Sequence, residues 1–208
     1  MARYSNNLEK IKLKMPKQKL FLKAVSIALV INFAMFLIEI GFGFYANSLA
    51  LMLDATDFLG DSLNYGIAIF VLSKSKKWQS VSALIKASFM LSFGIYVLTS
   101  GVYRVLTDIQ PNGKIMIYVS FFALIANAFV SYLLFKFRNG SSNQQSVWLC
   151  SRNDTINNLI TIVAGVFTLF YHSKWPDLIV AMIMSFLAIS SAVKIFQQVK
   201  KELNDFKL

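Results

Sequence analysis

The chain has 208 residues, of which 56% are hydrophobic and 15% are charged, and its mean hydropathy is +0.57. Soluble globular chains carry about 25% charged residues, and a soluble domain of this length has too small an interior to enclose so much apolar surface. The composition therefore excludes an ordinary soluble domain and indicates a protein embedded in a lipid bilayer.

Positive charge is in excess, with 21 Lys and Arg against 10 Asp and Glu, a net charge of +11. In a soluble protein this excess would suggest nucleic acid as a partner. Here the Phe residues lie in long apolar runs, and the basic residues lie mostly between those runs, where they set the topology of membrane proteins. We therefore predict the lipid bilayer, and not nucleic acid, as the surroundings of this chain.

The predicted elements are six apolar segments that follow a basic, polar segment at residues 1–23. They cover residues 24–46, 48–72, 81–103, 115–135, 147–170 and 177–196. About 20 residues of helix cross the ~30 Å hydrocarbon layer, and in lipid a helix satisfies its own backbone groups. We predict an all-α membrane protein with a six-helix transmembrane domain at 24–196 and a short cytoplasmic tail at 197–208.

The loops between these segments differ in charge. Lys and Arg concentrate in the N-terminal segment, in the loops after spans 2 and 4, and in the tail, whereas the other loops carry few. Cytoplasmic loops of membrane proteins carry the excess of Lys and Arg. This asymmetry predicts that both termini lie in the cytoplasm.

Half of the ten acidic residues fall inside the predicted spans. These five are Glu39 in span 1, Asp54, Asp57 and Asp61 in span 2, and Asp154 in span 5. An ionised carboxylate at the centre of a membrane helix costs about 2.5–3.5 kcal/mol, so such residues face a protein interior or a water path. The acids are therefore the candidates for a function inside the membrane.

The spacing of these residues predicts a metal site. Asp54, Asp57 and Asp61 stand at i, i+3 and i+7 and share one helix face. In span 5, Cys150 and Asp154 repeat the i, i+4 spacing of Asp57 and Asp61. Two helices with two ligands each can build the four-coordinate site that zinc prefers. Antiparallel spans would set Asp57 level with Asp154, although residue counting puts the span 5 pair about 10 Å closer to the cytoplasmic helix ends.

Further polar residues lie beside this site. Asn157 and Asn158 continue the polar face of span 5, and Asp54 either lines an outward path or hydrogen-bonds a neighbouring helix. Glu39, with Asn32, either steadies the bundle or sits beside the path. We treat Glu39, Asp54, Asn157 and Asn158 as candidate pathway residues. Asp177, which follows Pro176, predicts the start of the sixth helix, because an acid is favourable at a helix N-terminus.

Three stretches resemble the cation diffusion facilitator family of divalent-metal transporters. The stretch NSLALMLDATDFLGD at 47–61 is similar to that family's second helix, and SRNDTINNLITIVA at 151–164 and WPDLIVA at 175–181 are similar to helices five and six. The resemblance extends over all six spans. It implies that Asp57, Asp61 and Asp154 bind the metal, and that zinc-like ions leave the cytoplasm in exchange for protons.

The chain departs from that family's pattern in two respects. Cys150 stands where the family usually has a histidine, and we expect a short form without the family's C-terminal cytoplasmic domain. A thiolate favours zinc and cadmium over manganese and magnesium, although Cys150 can also be read as a small apolar residue of the helix face. Crowded anions disfavour one another's ionisation, so we expect metal binding to release protons.

The function predicted from these residues is transport of a divalent cation, zinc before others, without enzymatic activity or a resident cofactor. The partners are the ion, protons and the bilayer, with a homodimer left open, and the expected location is a bacterial inner membrane. Two alternatives are an accessory membrane protein that transports nothing and a metal-dependent membrane phosphatidyltransferase. The latter draws on the Asp-x-x-Asp spacing of Asp54 and Asp57, but the Gly-x-x-Ala-Arg expected next is absent.

Overall fold

A computed structural model of the chain describes the backbone of residues 2–71, 76–139 and 142–205 and most side chains between residues 19 and 200. Six helices contain nearly all of these residues: α1 Ala2–Tyr45, α2 Leu49–Val71, α3 Lys76–Val105, α4 Gly113–Phe135, α5 Ser142–Tyr171 and α6 Trp175–Asp205. No strand occurs within these ranges. The predicted all-helical fold with six helices is confirmed, and α1 also contains the basic N-terminal segment.

Four helical segments are long and apolar enough to cross a bilayer. They are Lys19–Tyr45, Gly113–Phe135, Asp154–Tyr171 and Trp175–Gln197. Large apolar side chains such as Phe121, Phe122 and Phe129 on α4 point outward from the bundle. An apolar surface of this extent is typical of a lipid-facing perimeter and not of a soluble monomer.

Helix α2 lies at the centre of the molecule. All of its side chains within 49–67 are buried or half-buried, whereas the other five helices each expose large apolar residues. It packs against α1, α3, α5 and α6. Because protein surrounds α2, its three aspartates face neighbouring helices and not lipid, which is how one span can carry three acids.

The remaining helices form two groups around α2. Helix α1 packs against α4, α4 packs against α5, and both α1 and α5 contact α2, so these four helices form one bundle. Helices α3 and α6 pack as a pair against this bundle, with α3 on α2 and α6 on both α2 and α5. Helices α4 and α5 approach closely, because a Cβ atom added to Gly113 would lie 2.6 Å from the carbonyl oxygen of Gly165.

The N-terminus of α2 is capped by a residue of another helix. Asp177 lies in the first turn of α6, as predicted. Its carboxylate, however, accepts hydrogen bonds from Ser48 Oγ at 2.6 Å, from the Leu49 amide at 2.9 Å and from the Ala50 amide at 3.1 Å. Arg104 of α3 lies 4.0 Å from the same carboxylate. Asp177 thus satisfies orphan amides of α2 and joins three helices at this end of the bundle.

Candidate metal site

The structure brings acids of α2 and α5 together. The carboxyl group of Asp154 lies within hydrogen-bonding reach of Asp61, and Asp57 and Asp54 are close enough to repel it. Two carboxyl groups can share a hydrogen bond only when one of them carries a proton. This arrangement therefore suits a site that holds either protons or a cation between the two helices.

The prediction set Asp154 level with Asp57, and the structure also brings Asp154 to Asp61, one turn further along α2. Asp154 lies within hydrogen-bonding reach of Asp61 and near Asp57. Residue counting had put the α5 residues about 10 Å closer to the helix ends on that side, and a shift from Asp57 to Asp61 takes up about 6 Å of this. The offset between α5 and α2 that this pairing needs is therefore smaller than the one that residue counting gave.

Tyr65 orients one of the acids. Its hydroxyl donates a hydrogen bond of 3.1 Å to Asp61 Oδ2, and its side chain is 1% exposed. A fixed donor of this kind limits the rotation of a carboxylate and prepares it for a cation. Tyr65 was absent from the predicted site. The signal that could have revealed it is the i, i+4 spacing from Asp61, which places the two side chains on one face.

The acids of the site differ in burial. Asp54 and Asp61 are buried, whereas Asp57 and Asp154 are half-buried. Asp57 and Asp154 therefore retain some accessible surface, whereas Asp54 and Asp61 retain almost none.

A second pair of acids lies between α1 and α2. Glu39 is fully buried and Asp54 is 1% exposed, and their carboxyl groups lie within hydrogen-bonding reach of each other. No amide, hydroxyl or cationic group of the described residues donates to them. Asp57 is close enough to act on both electrostatically. The two candidate pathway residues of spans 1 and 2 are therefore neighbours, next to the α2 acids of the site.

The remaining predicted residues belong to α5. The backbone of Cys150 is helical, but its side chain lies outside the described residues. Asn158 is fully buried, and neither of its polar side-chain atoms has a partner in the described part of the chain. Asn157 is half-buried, and its backbone carbonyl oxygen accepts a 3.2 Å hydrogen bond from Thr161 Oγ1. Among the described side chains, no three of Asp, Glu, His or Cys converge on one point.

Comparison with known proteins gives one family and several relatives. The family described as the cation efflux transmembrane domain matches residues 25–203. Two relatives are cadmium, cobalt and zinc/H(+)-K(+) antiporters. The antiporter of Bacillus subtilis strain 168 is 21% identical to this chain over 83% of this chain and 60% of its own length. The antiporter of Bacillus velezensis is 22% identical over 81% of this chain and 58% of its own length. A vacuolar zinc transporter of Toxoplasma gondii is 30% identical over 62% of this chain and 16% of its own. The chain thus spans about 60% of the length of the Bacillus relatives.

Proposed function

This chain belongs to the cation efflux family of multi-pass integral membrane proteins, and we propose that it exports a divalent transition-metal cation from the cytoplasm in exchange for protons. The family consists of transporters and not of enzymes. The observation that carries the proposal is the meeting of Asp61 and Asp154 between α2 and α5, with Asp57 beside them. Zinc is the favoured ion, with cadmium next.

Proton exchange follows from the crowding of these carboxyl groups. Several acids within one enclosed site cannot all be ionised while the site is empty, because like charges in a low-dielectric interior repel strongly. A divalent cation binds the deprotonated forms, so its arrival releases protons and protonation expels it. The names of both Bacillus relatives include protons and potassium as counter-ions. For this chain we favour protons, because carboxyl groups are the groups that the site offers.

The ligands in this proposal are Asp57, Asp61 and Asp154, with Cys150 as the fourth. Three oxygen donors and one sulfur donor suit a tetrahedral zinc site, and the sulfur would favour cadmium. In this proposal both termini lie in the cytoplasm of a bacterial cell, and Asp57 and Asp154 receive the ion from the cytoplasm.

The experiment is transport in proteoliposomes that contain a zinc-sensitive dye and a pH-sensitive dye. The wild-type protein is expected to move zinc against an opposing flux of protons, and Asp61→Asn and Asp154→Asn are expected to abolish both signals. Asp108→Asn is the matched control, since Asp108 is exposed between α3 and α4. Zinc transport without proton movement would contradict the exchange. A parallel measurement with a potassium gradient tests that counter-ion, and unchanged transport in both site variants would contradict the site.

A further inference from the structure

Two apolar clusters flank Asp61 within the four-helix bundle. The first cluster contains Met35, Phe58 and Ala123, and the second contains Ala28, Tyr65 and Val130, so that each cluster takes one of these residues from α1, one from α2 and one from α4. The order of the clusters along α1 is opposite to that along α2 and α4. The two clusters therefore define two levels of the bundle, which α1 crosses in one direction and α2 and α4 cross in the other.

One polar residue on each of these helices lies between the two clusters. They are Asn32 on α1, Asp61 on α2 and Asn127 on α4, and all three are buried. On each helix, the polar residue is three or four positions from the residue of the first cluster and from the residue of the second cluster. It therefore lies on the same inward helix face as those two residues. The three side chains consequently lie at one level of the bundle.

Helix α5 contributes to the same level. Ser151 Oγ donates a 3.1 Å hydrogen bond to the backbone carbonyl of Asn127. Asp154, one turn later on α5, lies within hydrogen-bonding reach of Asp61. Asn32, Asp61, Asn127 and Asp154, one residue from each helix of the bundle, are called the polar layer below.

The two asparagines of the polar layer have an acceptor without a donor. Asn32 Nδ2 donates to the carbonyl oxygen of Ala28 at 2.8 Å, which fixes the orientation of its amide. The Oδ1 atoms of Asn32 and Asn127 accept no hydrogen bond from any described residue, although both side chains are at most 2% exposed. A buried acceptor in this state costs about 1–3 kcal/mol. Ionised carboxylates have no hydrogen to donate, so with the acids ionised a cation at this level would satisfy both carboxamide oxygens.

We propose that the carboxamide oxygens of Asn32 and Asn127 contact the transported cation at the level of Asp61 and Asp154. The inference rests on the proposed transport function and extends its site from two helices to all four helices of the bundle. Carboxamide oxygens are hard ligands, and they raise the number of available donors above the four that tetrahedral zinc requires. Co²⁺ takes more than four ligands more readily than Zn²⁺ does. The two asparagines should therefore support Co²⁺ binding more than Zn²⁺ binding.

The experiment measures Co²⁺ and Zn²⁺ binding by calorimetry and the visible absorption of bound Co²⁺, on the full chain in detergent. Asn32→Leu and Asn127→Leu keep the side-chain volume and remove the oxygen. Each is expected to lower Co²⁺ affinity at least tenfold, to lower Zn²⁺ affinity less, and to strengthen the visible bands towards those of four-coordinate Co²⁺. Ser120→Ala is the control, because Ser120 is also buried on α4 without a partner in the described residues, two turns away from Asn127.

Several outcomes separate this inference from the proposed function. Unchanged Co²⁺ affinity and absorption in both Leu variants would overturn the inference, as would an equal loss in Ser120→Ala. If Asp61→Asn and Asp154→Asn abolish metal binding in that case, the proposed function stands although the inference about the asparagines fails. If those two variants bind metal like the wild type, the proposed function itself fails. Should the Leu variants not fold, Asn127→Asp keeps the oxygen and the shape. It is expected to bind Co²⁺ at least as tightly as the wild type, and weaker binding would count against the inference.

Discussion

Asp177 offers the sharpest test of the packing around α2. Replacement by Asn leaves the side chain the same size but removes its charge and one of its two acceptor oxygens. In the wild type those oxygens serve Ser48 Oγ, the amides of Leu49 and Ala50, and the Arg104 guanidinium. After the substitution, an NH₂ group faces at least one of these donors.

The expected loss of stability can be worked from these contacts. Hydrogen bonds to a charged group contribute about 1.5–3 kcal/mol each. Removing one partner of a buried charge pair costs about 3–5 kcal/mol, because the other charge is left buried. Since Asp177 is 1% exposed and the Arg104 side chain 11% exposed, water replaces these contacts poorly. We therefore expect Asp177→Asn to lower the free energy of unfolding by about 3–5 kcal/mol.

Unfolding in mixed micelles at 25 °C, followed by helix content against denaturant concentration, measures this difference. Asp108→Asn, the same change at an exposed acid, is expected to leave the free energy of unfolding unchanged. Ser48→Ala removes one of the contacts to Asp177 and is expected to give an intermediate loss. A loss below about 1 kcal/mol for Asp177→Asn would refute the argument that this carboxylate caps α2.

Three further predictions concern the site and the bundle. Tyr65→Phe removes the donor to Asp61 and is expected to weaken zinc binding by about tenfold to a hundredfold in calorimetry, whereas Tyr132→Phe, at an exposed position of α4, should bind like the wild type. Gly113→Ala forces a Cβ atom against the α5 backbone and should lower the free energy of unfolding by about 1–3 kcal/mol, while Gly41→Ala, with no atom within 4 Å of the added Cβ, should not lower it. Zinc affinity should fall as the pH falls, because protons compete for the carboxylates, and calorimetry in buffers of different ionisation enthalpy should detect released protons; an equal heat in all buffers would contradict this.

The sequence was sufficient to locate the helices and to single out the acids of the candidate site. Each apolar segment is near the length of a membrane-spanning helix, so all six helices were located by length and hydropathy. The i, i+4 spacing singled out Asp57 and Asp61, and charge inside an apolar span singled out Asp154. These signals are local, since each is contained within one helix.

What the sequence could not provide depends on how helices pack. The pairing of Asp154 with Asp61 depends on the vertical offset of α5 against α2, which no local pattern encodes. Asp177 was correctly placed at the start of α6, but the amides it caps are more than 120 residues away in the chain. The role of Asn127 could not be predicted, because a single asparagine in an apolar helix can be interpreted only once the residues at the same level of the other helices are known.

The enclosure of α2 also has a consequence for how the chain is made. Three aspartates make α2 costly to leave facing lipid, at about 2.5–3.5 kcal/mol for each ionised carboxylate near the bilayer centre. Its neighbours α5 and α6, and the Asp177 cap, are synthesised only after α2 and α4 have emerged from the ribosome. Of the helices that pack against α2, α1 alone precedes it in the chain, and this packing brings Glu39 to Asp54 and Gly43 against Met52. Enclosure of α2 by protein is therefore complete only once α3, α5 and α6, which follow it in the chain, are in place.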